Sequence, residues 1–334
     1  MKIIYLVYTV FSAAVASLVA IPATAAAAAA AAASSCQPAP AAVIDIDANS
    51  YYNDANHSVI DPARRAQNIA STEPVEKFLA GVARNASRYQ EHQQPADAAC
   101  ALAWLESWAG QHAMQGKMSS EQAYFVRKWT LGGLALSYAR VQPAATPAQR
   151  QAIEAWFGTL ADATLTHADT RKGKRNNHYY WEGLAVTAVG GVTRNQRFLD
   201  WGHGVFDNAM AQVAPNGALP AEMARGAKAL HYHAFAAAPL TMMASILDLQ
   251  SPTLDKLVQF TLAAAHDPSG LQKQTGFKQE PADDLPFAAI YARHTAQPQL
   301  APAKVKWQAR LGGDVALANP LEHVPARHQA TGQP

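Results

Sequence analysis

Two short stretches of the sequence bring together side chains that could move a proton beside a carboxylate. The first, KRNNHYYWEG at 174–183, places Asn177 and His178 directly after a basic run. An amide donates hydrogen bonds to a carboxylate, and an imidazole neutralises charge or transfers a proton near neutral pH. The ordinary alternative is a solvated basic loop followed by a structural histidine, and residue types alone do not decide between the two.

The second stretch, EMARGAKALHYHAF at 222–235, contains Arg225 and Tyr232. Their spacing of seven residues is two helical turns, so a continuous helix would project both side chains from one face. A guanidinium beside a phenol favours the phenolate and lowers the pKa, which makes tyrosine usable as a base. The alternative is an arginine that stacks on a tyrosine at the surface.

His231 and His233 flank Tyr232 and raise the question of a metal. Positions i and i+2 point to different sides of a helix, and no HExxH motif accompanies them, so we expect no metal and no cofactor. A glycosidase needs two carboxylates that flank the scissile bond, and the sequence pairs no such acids persuasively. Motifs for a phosphate-binding loop, a dinucleotide fold or a nucleophile elbow do not occur in the sequence.

These residues have to be positioned by helices, because apolar side chains recur at three and four residues along most of the chain. Start signals predict helices after Thr72-Glu73-Pro74, after Ser119 with Gln122 three residues on, and after Thr146-Pro147 with Gln149. Further helices are predicted over 180–192, 198–213, 223–249 and 254–265. The chain is therefore all-α, as a ring of helical hairpins or as a solenoid.

The N-terminal region predicts export. Residues 1–25 have the pattern of a signal peptide, with Lys2, an apolar run and Ala23-Thr24-Ala25 as a cleavage site. Pro22 and the absence of a charged stop argue against a spanning helix. Residues 26–43 form a low-complexity lead-in, 44–334 form one domain, and the polar, aromatic segment 44–64 is long enough to suggest a lid.

Charge and cysteines add little about partners. Loss of Lys2 with the signal peptide leaves 26 basic and 25 acidic side chains out of 27 and 25, so net charge identifies no partner, and neither nucleic acid nor a membrane is expected to bind the mature chain. Cys36 and Cys100 fit one disulfide in an oxidising compartment, with two buried thiols as the alternative.

Several longer motifs resemble the alginate lyases of polysaccharide lyase family 5. They are NNHYYW, FLDW, NGALPAEMARGAKALHYH and RLGGD, together with CALAWLESWA and VRKWTLGGLALSYAR, and they extend from about Cys36 to Asp314. The resemblance implies an incomplete (α/α) toroid with a deep cleft, a Cys36–Cys100 disulfide, and periplasmic β-elimination of a polyuronate by a cofactor-free monomer.

The resemblance also implies four catalytic residues. Asn177 and Arg225 would stabilise the uronate carboxylate, His178 would assist there or act as base, and Tyr232 would transfer protons. Seven further residues are expected to bind substrate, with Trp181 also anchoring its helix: Tyr51, Tyr52, Tyr124, Arg175, Tyr179, Trp181 and His231. The basic run at 171–175 is expected to steer the polyanion.

Two departures from the family pattern suggest a broader substrate range. In the family that this chain resembles, the alginate-specific members have serine at the position of Tyr179 and a small residue at the position of His231. Both positions are expected to line the cleft, so we predict activity on mannuronate polymers and also on glucuronate polymers or hyaluronan. Two other hypotheses remain at this point, namely a non-catalytic toroid that binds polyanions and a metal hydrolase that uses His178, His231 and His233.

Overall fold

The fold is described by a computed structural model that covers residues 36–54, 59–172, 175–282, 285–302 and 307–323. The predicted signal peptide at 1–25 and the lead-in as far as residue 35 lie outside these ranges. The α-helices in chain order are α1 Pro62–His92, α2 Pro95–Gly110, α3 Glu121–Val141, α4 Pro147–Thr170, α5 Asn177–Thr193, α6 Gln196–Met210, α7 Pro220–Met223, α8 Ala229–Leu247, α9 Pro252–His266, α10 Ser269–Thr275 and α11 Pro286–His294.

Helices that are buried on nearly every side alternate with helices that bury one face. Side chains of α3, α5 and α8 are buried almost all round, whereas α6 buries only the stripe Phe198, Gly202, Val205, Phe206 and Ala209. A helix with one apolar stripe belongs on the outside of a bundle, and one that is apolar all round belongs inside. The two kinds therefore form the inner and outer layers of a ring.

The inner layer runs α1, α3, α5, α8 and α11, each packed on the next, with α2, α4, α6 and α9 outside. The helix α1 stands at one end of this series and is the inner helix that buries only one face. Within the described ranges α11 and α1 share no extensive contact, so the ring is open there. This is the predicted incomplete (α/α) toroid. No helix in the described ranges is long and apolar enough to cross a membrane.

The predicted start of α1, after Thr72-Glu73-Pro74, is wrong, because the helix begins about three turns earlier. The helix begins at Pro62, after Asp61, whose carboxylate accepts hydrogen bonds from the Ala63 and Arg64 N–H groups, and Pro74 lies inside it. Apolar periodicity did not reveal the first turns because most of their side chains are exposed.

The other two predicted helix starts agree with the structure to within one residue. The capping box of Thr146 and Gln149 is present as predicted, with Pro147 at the first helical position. The cap of α3 is Ser120 rather than Ser119, because the Ser119 hydroxyl accepts a hydrogen bond from the Ala48 N–H group.

The hydrogen bond between Ala48 and Ser119 belongs to a short backbone pairing of two segments. Because residues 44–48 take part in this pairing, they are not part of the predicted lid. Residues 44–48 run beside 114–119, with Ile46 N–H donating to the Lys117 carbonyl at 3.0 Å, and Ile46 and Ala48 are buried. Residues 62–64 belong to α1. Of the predicted lid, residues 49–52 line the cleft, and the Asp61 N–H group donates a hydrogen bond to the Tyr51 carbonyl at 2.8 Å; residues 55–58 lie outside the described ranges.

The N-terminal segment is fastened to α2. Cys36 forms a disulfide with Cys100, whose Cα atoms lie 5.5 Å apart. The Trp104 and Trp108 indoles donate hydrogen bonds to the carbonyls of Gln37 and Pro40. The segment therefore reaches the pairing at 44–48 along a fixed path.

The C-terminal segment is fastened to α3, a helix of the inner layer. The Asp314 carbonyl accepts a hydrogen bond from Arg140 at 3.0 Å, and the Asn319 amide donates to the Leu136 carbonyl at 2.8 Å. Both partners lie on α3, so residues 308–311 are held at the mouth of the ring.

Candidate active site

The ring encloses a cleft of about 1490 Å³. Side chains from α1, α3, α5 and α8 line it, and the turn at 49–52 and the C-terminal residues 307–311 cover its rim. Among the described lining residues the cations outnumber the acids by five to two: Arg65, Arg171, Lys172, Arg225 and Arg310 against Glu76 and Glu121. A cleft with this balance favours an anionic ligand.

His178 lies in the first turn of α5 and reaches the cleft. The helix starts here because the Asn176 side chain accepts a hydrogen bond from the His178 N–H group at 3.2 Å, the usual role of asparagine at an N-cap. The imidazole stacks on Phe125 of α3, with ring centroids 3.7 Å apart. The ring orientation is therefore set by both the helix cap and the stack.

A buried lysine supports the same turn from below. Lys128 is 1% exposed, and its ammonium donates hydrogen bonds to the His178 carbonyl at 2.7 Å and to Glu182 at 3.1 Å. Burial lowers the pKa of Lys128 to about 8, against the opposing charge of Glu182. Arg171 binds both oxygens of the Glu182 carboxylate at 3.0 Å, so this carboxylate has two cationic partners.

Asn177, expected to bind the uronate carboxylate, is 0% exposed and does not line the cleft. Its backbone N–H and its side-chain amide donate hydrogen bonds to Glu222, at 2.9 to 3.1 Å. Burial raises the pKa of Glu222, whereas Asn177 and Arg225 act in the opposite direction. Glu222 therefore joins the two stretches of sequence that predicted the site.

Arg225 and Tyr232 meet, although not on one continuous helix as predicted. The chain leaves α7 at Met223, passes through a 3-10 turn at Gly226–Lys228 and begins α8 at Ala229. Gly226 adopts a φ of +58°, which breaks a regular helix and favours glycine. The Arg225 guanidinium lies 3.8 Å from the centroid of the Tyr232 ring, and Arg225 is only 8% exposed.

Tyr52 supplies the hydroxyl that contacts Tyr232. The two phenol oxygens lie 2.9 Å apart in a hydrogen bond, and Tyr51 packs beside Tyr52 with ring centroids at 4.8 Å. Burial raises the pKa of Tyr232, and the Arg225 charge and the Tyr52 hydrogen bond oppose this rise without reversing it, so the lowered pKa expected from the arginine is not the net result. Burial also raises the pKa of Tyr51, to about 12, and that of Tyr52. A phenolate oxygen can only accept, so the Tyr52 hydroxyl is the donor when Tyr232 is ionised.

The two histidines beside Tyr232 have different surroundings. His231 lines the cleft, whereas His233 is fully buried, accepts a hydrogen bond from the Leu219 N–H group and donates to the Ala229 carbonyl. Burial lowers the pKa of His233 to about 4, so its ring is neutral. His233 is therefore a structural residue. The described residues contain no group of three or more histidines, cysteines and acids arranged to hold a metal.

Trp181 borders the cleft and is 4% exposed. Its indole donates a hydrogen bond to the Phe235 carbonyl at 3.0 Å and so ties α5 to α8. The anchoring role that we expected for Trp181 agrees with this contact.

Three residues expected to bind substrate do not line the cleft. Tyr179 packs edge-on against Trp201, because one step along α5 from His178 turns the side chain away by about 100°. Arg175 stacks on Tyr179 and donates to the Ala168 carbonyl. Tyr124 stacks on His167, away from the cleft. Of the basic run, Lys174 lies outside the described residues.

Sequence reasoning missed several residues of the site. Phe125 and Trp129 were counted only as apolar helix positions, yet both line the cleft. A usable signal for Lys128 was its charge within the apolar run of α3, and for Glu222 its spacing of three from Arg225. Arg310 stood in the RLGGD motif without an assigned role.

Comparisons with known proteins place this geometry in context. The family model of alginate lyase matches residues 45–270. The chain is 37% identical over 305 residues to a polysaccharide lyase of Stenotrophomonas maltophilia (strain K279a), covering 85% of this chain and 90% of the relative. It is 32% identical over 303 residues to an alginate lyase of Azotobacter vinelandii, covering 82% and 80%.

Solved structures share the fold. Alginate lyase A1-III from Sphingomonas species A1 superposes with a TM-score of 0.70 at 21% identity, covering 86% of each chain. A variant of alginate lyase A1-III complexed with a tetrasaccharide superposes with a TM-score of 0.73 at 21% identity, covering 88% of this chain and 87% of that one.

Proposed function

The chain belongs to the alginate lyase family and is a polysaccharide lyase, and we propose that it cleaves poly-β-D-mannuronate by β-elimination, with Tyr232 as the residue that transfers the proton. The observation that carries this proposal is the group formed by Tyr232, Tyr52 and Arg225 inside a cationic cleft that also contains His178. Family membership also weighs against a toroid that only binds polyanions.

Neutralising the uronate carboxylate is the first requirement of the reaction. The hydrogen at C5 is weakly acidic, and its removal creates a second negative charge beside the carboxylate unless donors and cations compensate for it. Arg225 and His178 both face the cleft and supply that compensation, as preorganised electrostatic stabilisation. Asn177 acts from beneath them, through its hydrogen bonds to Glu222.

Proton transfer is assigned to Tyr232. Its phenolate takes the C5 proton, the C4–C5 double bond forms as the C4–O4 bond breaks, and the phenol returns the proton to O4. In mannuronate the C5 hydrogen and O4 lie on the same side of the ring, so one group can serve as base and then as acid. Tyr52 donates to the phenolate oxygen while it is charged.

A metal hydrolase with His178, His231 and His233 has less support, because both ring nitrogens of His233 are engaged by the backbone. Full activity after exhaustive chelation would remove that alternative, whereas loss that zinc restores would support it.

The substrate range is proposed to include glucuronate polymers and hyaluronan. The argument now depends on His231, which lines the cleft beside Tyr232, because Tyr179 is turned away. A change of His231→Ser should alter the ratio of rates on mannuronate and glucuronate polymers. An unchanged ratio would mean that His231 does not set specificity.

The site of action is proposed to be the periplasm, with the mature protein a monomer. The signal-peptide pattern at 1–25 and the disulfide support export. Cell fractionation tests the location, and light scattering of the purified protein tests the oligomeric state.

The decisive experiment measures ultraviolet absorbance during incubation with polymannuronate, because elimination creates a conjugated double bond and binding does not. Wild type should give a steady rise. Tyr232→Phe should abolish turnover and still bind the polymer, because only the hydroxyl is lost. No absorbance rise on any uronate polymer with folded wild type would refute the proposal, and near-normal turnover by Tyr232→Phe would move the acid and base role to another residue.

A further inference from the structure

The irregular segment 276–282, which follows α10, packs on the kink between α7 and α8. The Glu280 N–H group donates a hydrogen bond to the Ala227 carbonyl at 2.9 Å. The Lys228 ammonium forms an ion pair with the Glu280 carboxylate at 2.8 Å. None of these residues takes part in the proposed proton transfer. The segment is nevertheless fastened to the one stretch of backbone that separates the guanidinium of the site from its phenol.

The side chain of Gln279 enters this kink and is 6% exposed. Its amide oxygen accepts a hydrogen bond from the Leu230 N–H group at 3.1 Å. Its amide nitrogen donates to the Gly226 carbonyl at 3.0 Å, to the Thr275 hydroxyl at 3.0 Å and to the Phe277 carbonyl at 2.9 Å. Because an amide nitrogen carries two hydrogens, these three acceptors share them, and the whole amide group is engaged.

The Leu230 N–H group belongs to the first turn of α8, which has to find its acceptors outside the helix. The first four N–H groups of a helix have no partner within it, and a side chain at the N-cap usually supplies one. Within the described chain, the N-cap residue of α8, Lys228, makes no such side-chain hydrogen bond. Leu230 is 2% exposed, so Gln279 provides the acceptor from a distant part of the sequence.

The Gln279 amide thus joins the two sides of the kink. On one side it binds Gly226, which follows Arg225 directly in the chain. On the other side it binds Leu230, two residues before Tyr232. Glutamine suits this place because one amide both donates and accepts, whereas a carboxylate only accepts and an ammonium only donates. Any change in the separation of the two sides would move the guanidinium relative to the phenol ring.

We propose that Gln279 is a positioning residue of the active site, which holds the Arg225 guanidinium against the Tyr232 ring by tying together the two sides of the kink. The inference rests on the proposed function of Tyr232 in proton transfer. Gln279 is not among the described residues that line the cleft, so it acts through the backbone at Gly226 and Leu230.

The position of the guanidinium matters because its charge acts on the reacting phenol. The ionisable side chains that act on Tyr232 or pack against its ring are Arg225, Glu222, Tyr51, Tyr52 and His231. Burial raises the pKa of Tyr232, and the Arg225 charge opposes that rise. When the guanidinium is held less closely, the opposition weakens, the pKa rises further and the phenolate forms only at higher pH.

The test compares Gln279→Met and Gln279→Asn with wild type on polymannuronate. Methionine keeps the length of the side chain without donor or acceptor, and asparagine keeps the amide but is one methylene shorter. Gln279→Met should move the rising limb of kcat/KM to higher pH by about half a unit. Its kcat should fall about tenfold, and its KM should change less than about twofold. Gln279→Asn should show smaller changes in the same directions.

Gln142→Met is the matched control, since it removes another partly buried amide. The Gln142 amide donates to the Val192 carbonyl and to Glu154, both at 2.8 Å, and it lies outside the cleft lining. Its loss should lower the urea midpoint as Gln279→Met does, and should leave kcat and the pH profile at the wild-type values. Rates are measured where urea denaturation shows that each variant is folded.

Two results would overturn the role of Gln279. They are a wild-type pH profile and kcat in Gln279→Met, and an equal shift of the profile in Gln142→Met. Either result leaves turnover by wild type intact and so leaves the proposed function standing. Should Gln279→Met fail to fold, Gln279→Asn decides in its place, and wild-type kinetics in that variant would overturn the role. Absence of turnover by wild type on every uronate polymer would remove both proposals.

Discussion

At the scale of single residues, the Tyr52 hydroxyl tunes the pKa of Tyr232. The hydrogen bond at 2.9 Å stabilises the phenolate, while burial raises the pKa of the same group. In the proposed mechanism the phenolate of Tyr232 is the base, so the rate should rise with pH towards that raised pKa. Removing the donor destabilises the phenolate, so the pKa rises further.

Tyr52→Phe should therefore move the rising limb of kcat/KM to higher pH by about one unit. The measurement is a pH–rate profile on polymannuronate. Tyr89→Phe, which changes a half-buried tyrosine of α1 outside the cleft, is the control and should keep the wild-type profile. A shift to lower pH in Tyr52→Phe would contradict the role given to this hydroxyl.

Lys128 should prove important for stability as well as for the position of His178. Lys128→Met removes the charge and leaves Glu182 with Arg171 alone, so unfolding should become easier by about 2 to 3 kcal/mol. Urea denaturation measures the loss, and kcat should fall more than KM rises because the His178 turn loosens. Lys77→Met removes an exposed ion pair with Glu73 and should cost under about 0.5 kcal/mol. Equal effects of the two changes would argue against the buried network.

The types of residue in the candidate site were predictable from the sequence, whereas the directions in which their side chains point were not. Arg225 contacts Tyr232 and His178 lines the same cleft, whereas Asn177 is buried on Glu222 and does not line it. The seven-residue spacing from Arg225 to Tyr232 does not represent a continuous helix. Gly226 interrupts it, and tertiary packing returns the guanidinium to the phenol. Tyr179 shows the same limit, because its neighbour His178 faces the cleft and it does not.

At the scale of elements, the start of α5 fixes His178, which is proposed to act at the uronate carboxylate. Asn176→Ala removes the side chain that caps the helix at His178 and should destabilise the protein by about 1 kcal/mol. Activity should fall as well, because the capped turn carries the imidazole. Asn176→Asp should retain the cap and most of the stability.

Thr146→Ala provides the matched comparison for this cap. It removes the cap of α4, an outer helix, with a similar expected cost of about 1 kcal/mol and no change in kcat/KM. Denaturation and steady-state rates on the same preparations separate the two effects. An equal fall in activity for both caps would mean that general loosening, and not the position of His178, limits the rate.

Helix periodicity predicted an all-α chain and most of its helices, whereas the choice of a toroid over a solenoid came from the resemblance to the alginate lyases. Periodicity did not predict helical residues where a helix is polar and exposed, as in the first turns of α1. It also could not locate the pairing of 44–48 with 114–119, because these backbone hydrogen bonds depend on the path fixed by the disulfide and by Trp104 and Trp108.

At the scale of the whole molecule, the Cys36–Cys100 disulfide closes a loop with a sequence separation of 64. A loop of this size predicts a contribution of roughly 4 kcal/mol to the unfolding free energy. Changing both cysteines to serine should lower the melting temperature. Tyr52 follows the same segment, so kcat/KM should also fall and the apparent pKa of Tyr232 should rise as Tyr52 loosens. A melting temperature equal to that of wild type would contradict this account.

The hydrogen-bonded pair of Tyr52 and Tyr232 also bears on the order of events during synthesis. The two residues are 180 positions apart in the chain. A ribosome releases them in sequence, so a chain that ends before Tyr232 contains Tyr52 without its partner. Under the proposed mechanism, the onset of activity therefore waits until α8 has been made and Tyr52 has closed onto it.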